Sequence, residues 1–251
     1  MRTLGVIALA GVGVSVLCLA IAHAIDPGVN SFEGNGFGFM YRGCSAPPDD
    51  STNATRELEW NGDDTVTVNV PATIHYRPDN GPMLRASGPS AVISHLRVRD
   101  GRIELDCRLY GFDRELDLVL PGREFDSFTV NGAGHLVLEN LHQNRVAVNL
   151  RGAGDVRASG QADAVTLTIA GTGDADMGRL AVQSSKVRIA GSGKAELAPR
   201  DSADIIIAGS GEIRFLEQPR HLQTHIAGSG RIINAPTQGC ESHTHVIPGA
   251  P

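Results

Sequence analysis

Val187-Arg188-Ile189-Ala190-Gly191-Ser192-Gly193-Lys194-Ala195-Glu196-Leu197 holds the information that decides the fold. Val187 and Ile189 alternate with polar or small residues, as do Ala195 and Leu197, so each flank is a half-buried strand with a two-residue period. Between them, Gly191-Ser192-Gly193 fits a sharp corner, because glycine tolerates positive φ and close backbone approach. The phrase recurs. Gly-x-Gly triplets begin at Gly132, Gly152, Gly171, Gly191, Gly209 and Gly228, at spacings of 20, 19, 20, 18 and 19 residues.

Aligned on the triplets, the position two before the first glycine is Val130, Leu150, Ile169, Ile189, Ile207 and Ile226, always aliphatic. Four before it stand Phe128, Val148, Leu167, Val187, Ile205 and Thr224; four after it stand Leu136, Val156, Ala175, Ala195, Ile213 and Ile232. Leu138, Ala158, Met177, Leu197 and Phe215 follow two residues later, so a second strand faces the same core. A period near 20 is too short for paired-helix repeats, and the β-branched content points to one turn of a β-coil per repeat. The predicted class is therefore all-β, a single-stranded parallel β-helix-like solenoid with coils of about 18–20 residues. Stacking at about 4.8 Å makes the six registers roughly 25–30 Å long. A hairpin-built sandwich or barrel is the rival, but it would not repeat identical columns in every coil. The structural turn glycines are Gly132, Gly134, Gly152, Gly154, Gly171, Gly173, Gly191, Gly193, Gly209, Gly211, Gly228 and Gly230.

Upstream the pattern loosens. Thr65-Val66-Thr67-Val68-Asn69-Val70, His95-Leu96-Arg97-Val98-Arg99, Ile103-Glu104-Leu105 and Leu116-Asp117-Leu118-Val119-Leu120 alternate, with turns at Asp79-Asn80-Gly81 and Asp100-Gly101. No stretch reads as an amphipathic helix. Residues 55–235 are expected to form one solenoid domain whose first coils are irregular, as terminal repeats usually are.

The chain ends are different in kind. Residues 1–24 carry Arg2, an apolar run and Ala22-His23-Ala24 before Ile25, which reads as a signal peptide. Thr3 to Ala22 is also uncharged and long enough to span a bilayer, so an uncleaved N-terminal membrane anchor is the alternative. Both place the domain outside the cytoplasm, periplasmic or secreted, with contact to the membrane only through this segment if it is retained. Residues 25–54, including Gly34-Asn35-Gly36-Phe37-Gly38-Phe39, are a Gly/Pro-rich linker rather than a nucleotide loop, since no strand precedes the glycines and no helix follows. Residues 236–251 are a C-terminal tail.

A formal net charge of −6 without a basic stripe excludes nucleic acid as a partner. Aromatic residues are only 4% of the chain, so the stacking platforms usual in sugar grooves are scarce. Cys44, Cys107 and Cys240 follow the apolar segment; one disulfide is expected in an oxidising compartment, and Cys44 with Cys240 would tie both tails to the rod.

The sequence is poor in reactive constellations. His135, Asp155, Asp174, Lys194, Glu212 and Arg231 follow the triplets and stack into an exposed column, which reads as a solvated face with cross-strand pairs rather than a calcium or acid–base site. His243 and His245 share a strand face with only Glu241 to complete a metal set, which is too little for a site. No G-x-S-x-G, H-E-x-x-H or P-loop sequence occurs, so no catalytic, cofactor-binding or metal residue is assigned and no cofactor is expected.

Over residues 57–234 the chain resembles the head GIN domain family of bacterial envelopes, whose name couples it to putative auto-transporter adhesins. The carriers are Asp64-Thr65-Val66-Thr67-Val68-Asn69-Val70-Pro71-Ala72, Leu118-Val119-Leu120-Pro121, the Val130-Asn131-Gly132-Ala133-Gly134 rung and the later Ile-Ala-Gly-Ser-Gly rungs. The resemblance implies a secreted or membrane-anchored β-solenoid and carries over no catalytic residues. The expected function is a non-catalytic module whose surface binds an envelope protein or glycan. The alternative is a β-helix carbohydrate-active enzyme, which would need Asp155, Asp174, Asp176 and Arg157 to meet in a cleft.

Overall fold

A computed structural model describes residues 43–44, 52–109 and 115–234, all within one compact unit of residues 41–251. The residues expected to form a leader or anchor, most of those expected to form a linker and those expected to form a tail, including His243, His245 and Glu241, lie outside the described residues.

The repeats form a parallel solenoid of about five turns. Four long strands each run through most of a coil: β11 (His135–Gly152), β12 (Asp155–Gly171), β13 (Asp174–Gly191) and β14 (Lys194–Gly209). The first coils are begun by β3 (Thr65–Val68), β4 (Ala72–Tyr76) and β10 (Ser127–Gly132), and the last are completed by β15 (Glu212–Phe215), β16 (His221–Gly228) and β17 (Arg231–Ile233). Each coil has a first face, the strand leaving the glycine corner, and a second face, the strand entering the next corner. Every pairing from β3 to β17 along this path is parallel.

The register matches the column reading. Val130 pairs with Leu150, Leu150 with Ile169, Ile169 with Ile189, Ile189 with Ile207 and Ile207 with Ile226. On the first face Leu136, Val156, Ala175, Ala195, Ile213 and Ile232 form one continuous column. Val187, Ile189, Leu197, Ile205 and Ile207 have no exposed surface, each such burial contributing roughly 1.5–3 kcal/mol. Coils differ by up to two residues, and the register shifts that absorb this fall at Leu138/Leu141, Arg157/Ser159 and Met177/Val182/Ser184. They all lie where the first face passes to the second, so the glycine corner stays aligned in every coil.

That corner is held by backbone. The amides of Thr172, Ser192, Ser210 and Ser229 each donate to the carbonyl of the first glycine one coil earlier, at 2.9 Å. Gly191 has φ +132, and a Cβ there would stand 2.2 Å from the Gly171 carbonyl oxygen. Gly193 needs room instead: its Cβ would meet the Gly173 oxygen at 2.5 Å and the Ile169 Cγ2 at 2.7 Å.

One core column contains a flaw. Ser185, between Val165 and Ala203, is 5% exposed and its hydroxyl has no hydrogen-bond partner. An orphaned buried hydroxyl costs about 1 kcal/mol or more, so Ser185→Ala is expected to raise Tm by about 2–4 °C in thermal unfolding. A lowered Tm would show that the hydroxyl is satisfied.

The residues between Tyr76 and Ser127 make a cap in which strands stacked in parallel on the first coil are joined to antiparallel ones. On the first face β9 (Leu116–Val119) pairs in parallel with β4, then β5 (Leu84–Pro89) and β2 (Asn53–Leu58) continue antiparallel. On the second face β7 (Arg102–Leu105) pairs in parallel with β3, and β6 (Leu96–Arg99) folds back on it. Asp100 and Gly101 both have positive φ, 49° and 74°, as a tight hairpin requires. A single helical turn, α1 (Ser90–Ile93), buries Val92 and Ile93; four residues are too few to leave a helical period in the sequence. The core here is aromatic, with Phe125 5.1–5.8 Å from the rings of Trp60, Tyr76 and Phe128. The Tyr76 hydroxyl donates to the Arg123 carbonyl at 2.7 Å, and burial, with Glu124 nearby, pushes its pKa up to about 12.

Candidate functional site

The charged residues that follow the glycine corners are brought together as a ladder on the first face. His135 Nδ1 lies 3.2 Å from Asp155 Oδ2, and Glu115 of the cap is 3.6 Å from the other ring nitrogen. Asp155 Oδ1 accepts a hydrogen bond from the Asp174 amide at 3.1 Å; Asp174 Oδ1 accepts from the Lys194 amide at 3.2 Å. Glu212, whose side chain is 15% exposed, is ion-paired with Arg231 in the next coil. Each carboxylate therefore ties its coil to the next. The charged column was legible in the sequence, but its bonding to the neighbour's amide was not, since that depends on how the corners of adjacent coils stack.

The four residues of the enzymatic alternative do not meet in one cleft. Arg157 and Asp176 line a depression of about 120 Å³ together with Glu139 and Arg179. Asp174 and Asp176 line a second, of about 310 Å³, with Lys194, Glu196, Glu212 and Arg214. Asp155 lines neither. Small-molecule sites usually enclose about 300–1,000 Å³, so the first depression falls below that range and the second is at its lower limit. What the two make together is a shallow, charged strip of both signs along the first face.

One group of potential metal ligands occurs among the described residues, unforeseen from sequence because its members come from the two sides of the β6–β7 hairpin. His95, Asp106 and Cys107 approach within 4.8 Å of one another. They are already committed. Cys107 is disulfide-bonded, and the Asp106 carboxylate is taken by His95 at 2.6 Å and Arg97 at 2.7 Å. The His95 hydrogen bond, with Arg97 adding to it, holds the Asp106 carboxyl below the usual carboxylate range. Its contribution to stability is thus complete above the ordinary carboxylate pKa and is lost as pH falls through the lowered value.

Strand β1 (Gly43–Cys44) pairs in parallel with β8 (Arg108–Leu109), which sets the Cys44 backbone opposite Leu109. Cys240 lies outside the described residues, and the disulfide at Cys107 is one that a Cys44–Cys240 pair does not include. His221 and His225 are on β16 and exposed. No described helix is long and apolar enough to cross a membrane.

The sequence signature of a protein family described as "Putative auto-transporter adhesin, head GIN domain" matches residues 56–219. The chain belongs to the head GIN domain family. The match spans most of the cap and all but the last coil of the solenoid. No curated protein matches the chain. Among solved structures it is similar to a putative adhesin from Bacteroides fragilis, at 19% identity and a TM-score of 0.59, covering 73% of this chain and 97% of that one. It is also similar to a putative lipid binding protein and a putative adhesin from Parabacteroides distasonis, at 18% and 15% identity with TM-scores of 0.44 and 0.49; each match covers 74% of this chain and 98% of the other. The likeness to the Bacteroides fragilis structure establishes the fold.

Proposed function

We propose that this head GIN domain is an extracytoplasmic, non-catalytic module whose charged first face binds an envelope protein or glycan. The observation that carries the reading is the use made of Asp155 and Asp174. Both accept backbone amides of the following coil, so they serve the stacking of the solenoid rather than a reaction. Solenoids offer extended, nearly flat surfaces suited to long ligands, and mixed carboxylate and guanidinium groups hydrogen-bond hydroxyls or complementary charges. The family's adhesin name supports the same direction. Residues 1–24 would deliver the domain across the membrane, either released with Ile25 as its first residue or tethered with Met1 intact; N-terminal sequencing of protein from cells separates the two.

The test is binding of the purified chain to isolated envelopes. Arg157→Glu combined with Arg214→Glu is expected to reduce binding at least about tenfold, or about 1.4 kcal/mol, with an unchanged far-UV spectrum. Lys186→Glu with Arg188→Glu, on the second face, should leave it unaltered. The opposite pattern would move the site to the second face, and loss of polysaccharide-cleaving activity in Asp176→Asn would replace the reading by the enzymatic one.

A further inference from the structure

The two ends of the solenoid are finished differently. At the N-terminal end the outermost strands are β2 and β6, which carry Arg56, Glu57, Arg97 and Arg99, the charges that keep a sheet edge from pairing with another chain. At the C-terminal end, among the described residues, β16 pairs only with β14 and all eight of its residues are exposed. It has no proline, no lysine and no carboxylate. Its inward column continues the core: Leu222 stands on Ala203, Thr224 on Ile205 and Ile226 on Ile207, leaving Leu222 36% and Ile226 40% exposed. An unprotected edge that extends a hydrophobic core is built to be covered.

We propose that the occupant is a second copy of this chain, joined end to end through antiparallel pairing of β16 with the same strand of its partner. The residue pattern is self-complementary about Thr224. An antiparallel ladder centred there sets Leu222 opposite the partner's Ile226, Thr224 opposite the partner's Thr224, and Ile226 opposite the partner's Leu222. Every inward residue then meets an inward residue, giving two aliphatic cross-strand pairs and a threonine pair. The arrangement is isologous and closes at two copies. Head-to-tail stacking into filaments is blocked because the other end is occupied by the cap. The dimer would be a rod with a cap at each end and the charged first faces of both copies at its surface, so it stands whether or not those faces bind as proposed above.

Oxidative cross-linking of the full chain in mild detergent tests this. In an antiparallel pair centred on Thr224 the two Cα atoms lie about 4.5–5.5 Å apart, within the span of a disulfide. Thr224→Cys is therefore expected to give a covalent dimer on a non-reducing gel, whereas Arg188→Cys, exposed two coils away, should give no more than the unaltered chain. Sedimentation of the full chain should show a dimer that Ile226→Asp weakens at least about tenfold with its far-UV spectrum retained. A monomeric full chain with no Thr224→Cys cross-link would overturn the proposal, leaving residues 235–251 or a foreign strand as the cover. A dimer unaffected by Ile226→Asp would overturn it equally, by placing the contact elsewhere.

Discussion

Ile189→Asp is expected to unfold several coils together, lowering stability by at least about 4 kcal/mol. Ile189 is fully buried and sits in the stacked column between Ile169 and Ile207, both also fully buried, so a carboxylate there would face aliphatic side chains on each neighbouring rung. A buried, unpaired charge is among the few single changes that reach this size, and it is comparable to the whole stability of many domains. Each coil of a solenoid is stabilised mainly by its neighbours, so damage at a central rung removes two interfaces at once. The expected readings are loss of the far-UV β signal or a large fall in Tm, against about 0.5–1.5 kcal/mol for Ile189→Val. A melting temperature within a few degrees of the unaltered chain would contradict the stacking register.

The second large effect concerns the corner. Gly191→Ala is expected to cost about 3 kcal/mol, because φ of +132 strains any other residue and the added methyl would displace the Gly171 carbonyl, which accepts the Ser192 amide. Gly132 separates the two contributions. It has φ +96 but nothing within 4 Å of an added Cβ, since no coil with such a corner lies beneath it, so Gly132→Ala should cost clearly less. Denaturant titration of both variants gives the ranking. Equal losses would mean that dihedral strain alone makes these positions glycine and that corner-to-corner contact contributes nothing.

The coils were readable because their physical requirements repeat. A column such as Leu150, Ile169, Ile189 and Ile207 is a constraint imposed once per coil, and six copies of it raise a short alternating pattern well above chance. The cap imposes its constraints only once. Thr65 to Val68, Leu96 to Arg99 and Leu116 to Val119 were recognisable as strands, yet the antiparallel pairings of the last two and the helical turn α1 depend on how the cap folds in three dimensions. The same reason hid the aromatic cluster, whose members Trp60, Tyr76, Phe125 and Phe128 share no spacing. At the candidate site the charged column could be listed by position, but the acceptor roles of Asp155 and Asp174 required the three-dimensional corner. The His95–Asp106–Arg97 group was likewise invisible until the hairpin brought it together.

The central claim, that the first face is a binding surface, is tested most directly by photo-cross-linking in intact cells from a reactive residue introduced at position 157, with position 188 on the second face as the comparison. A discrete envelope protein or glycan captured from position 157 and absent from position 188 is the expected result. Capture from position 188 alone, or no adduct from either position in cells that export the chain, would contradict it.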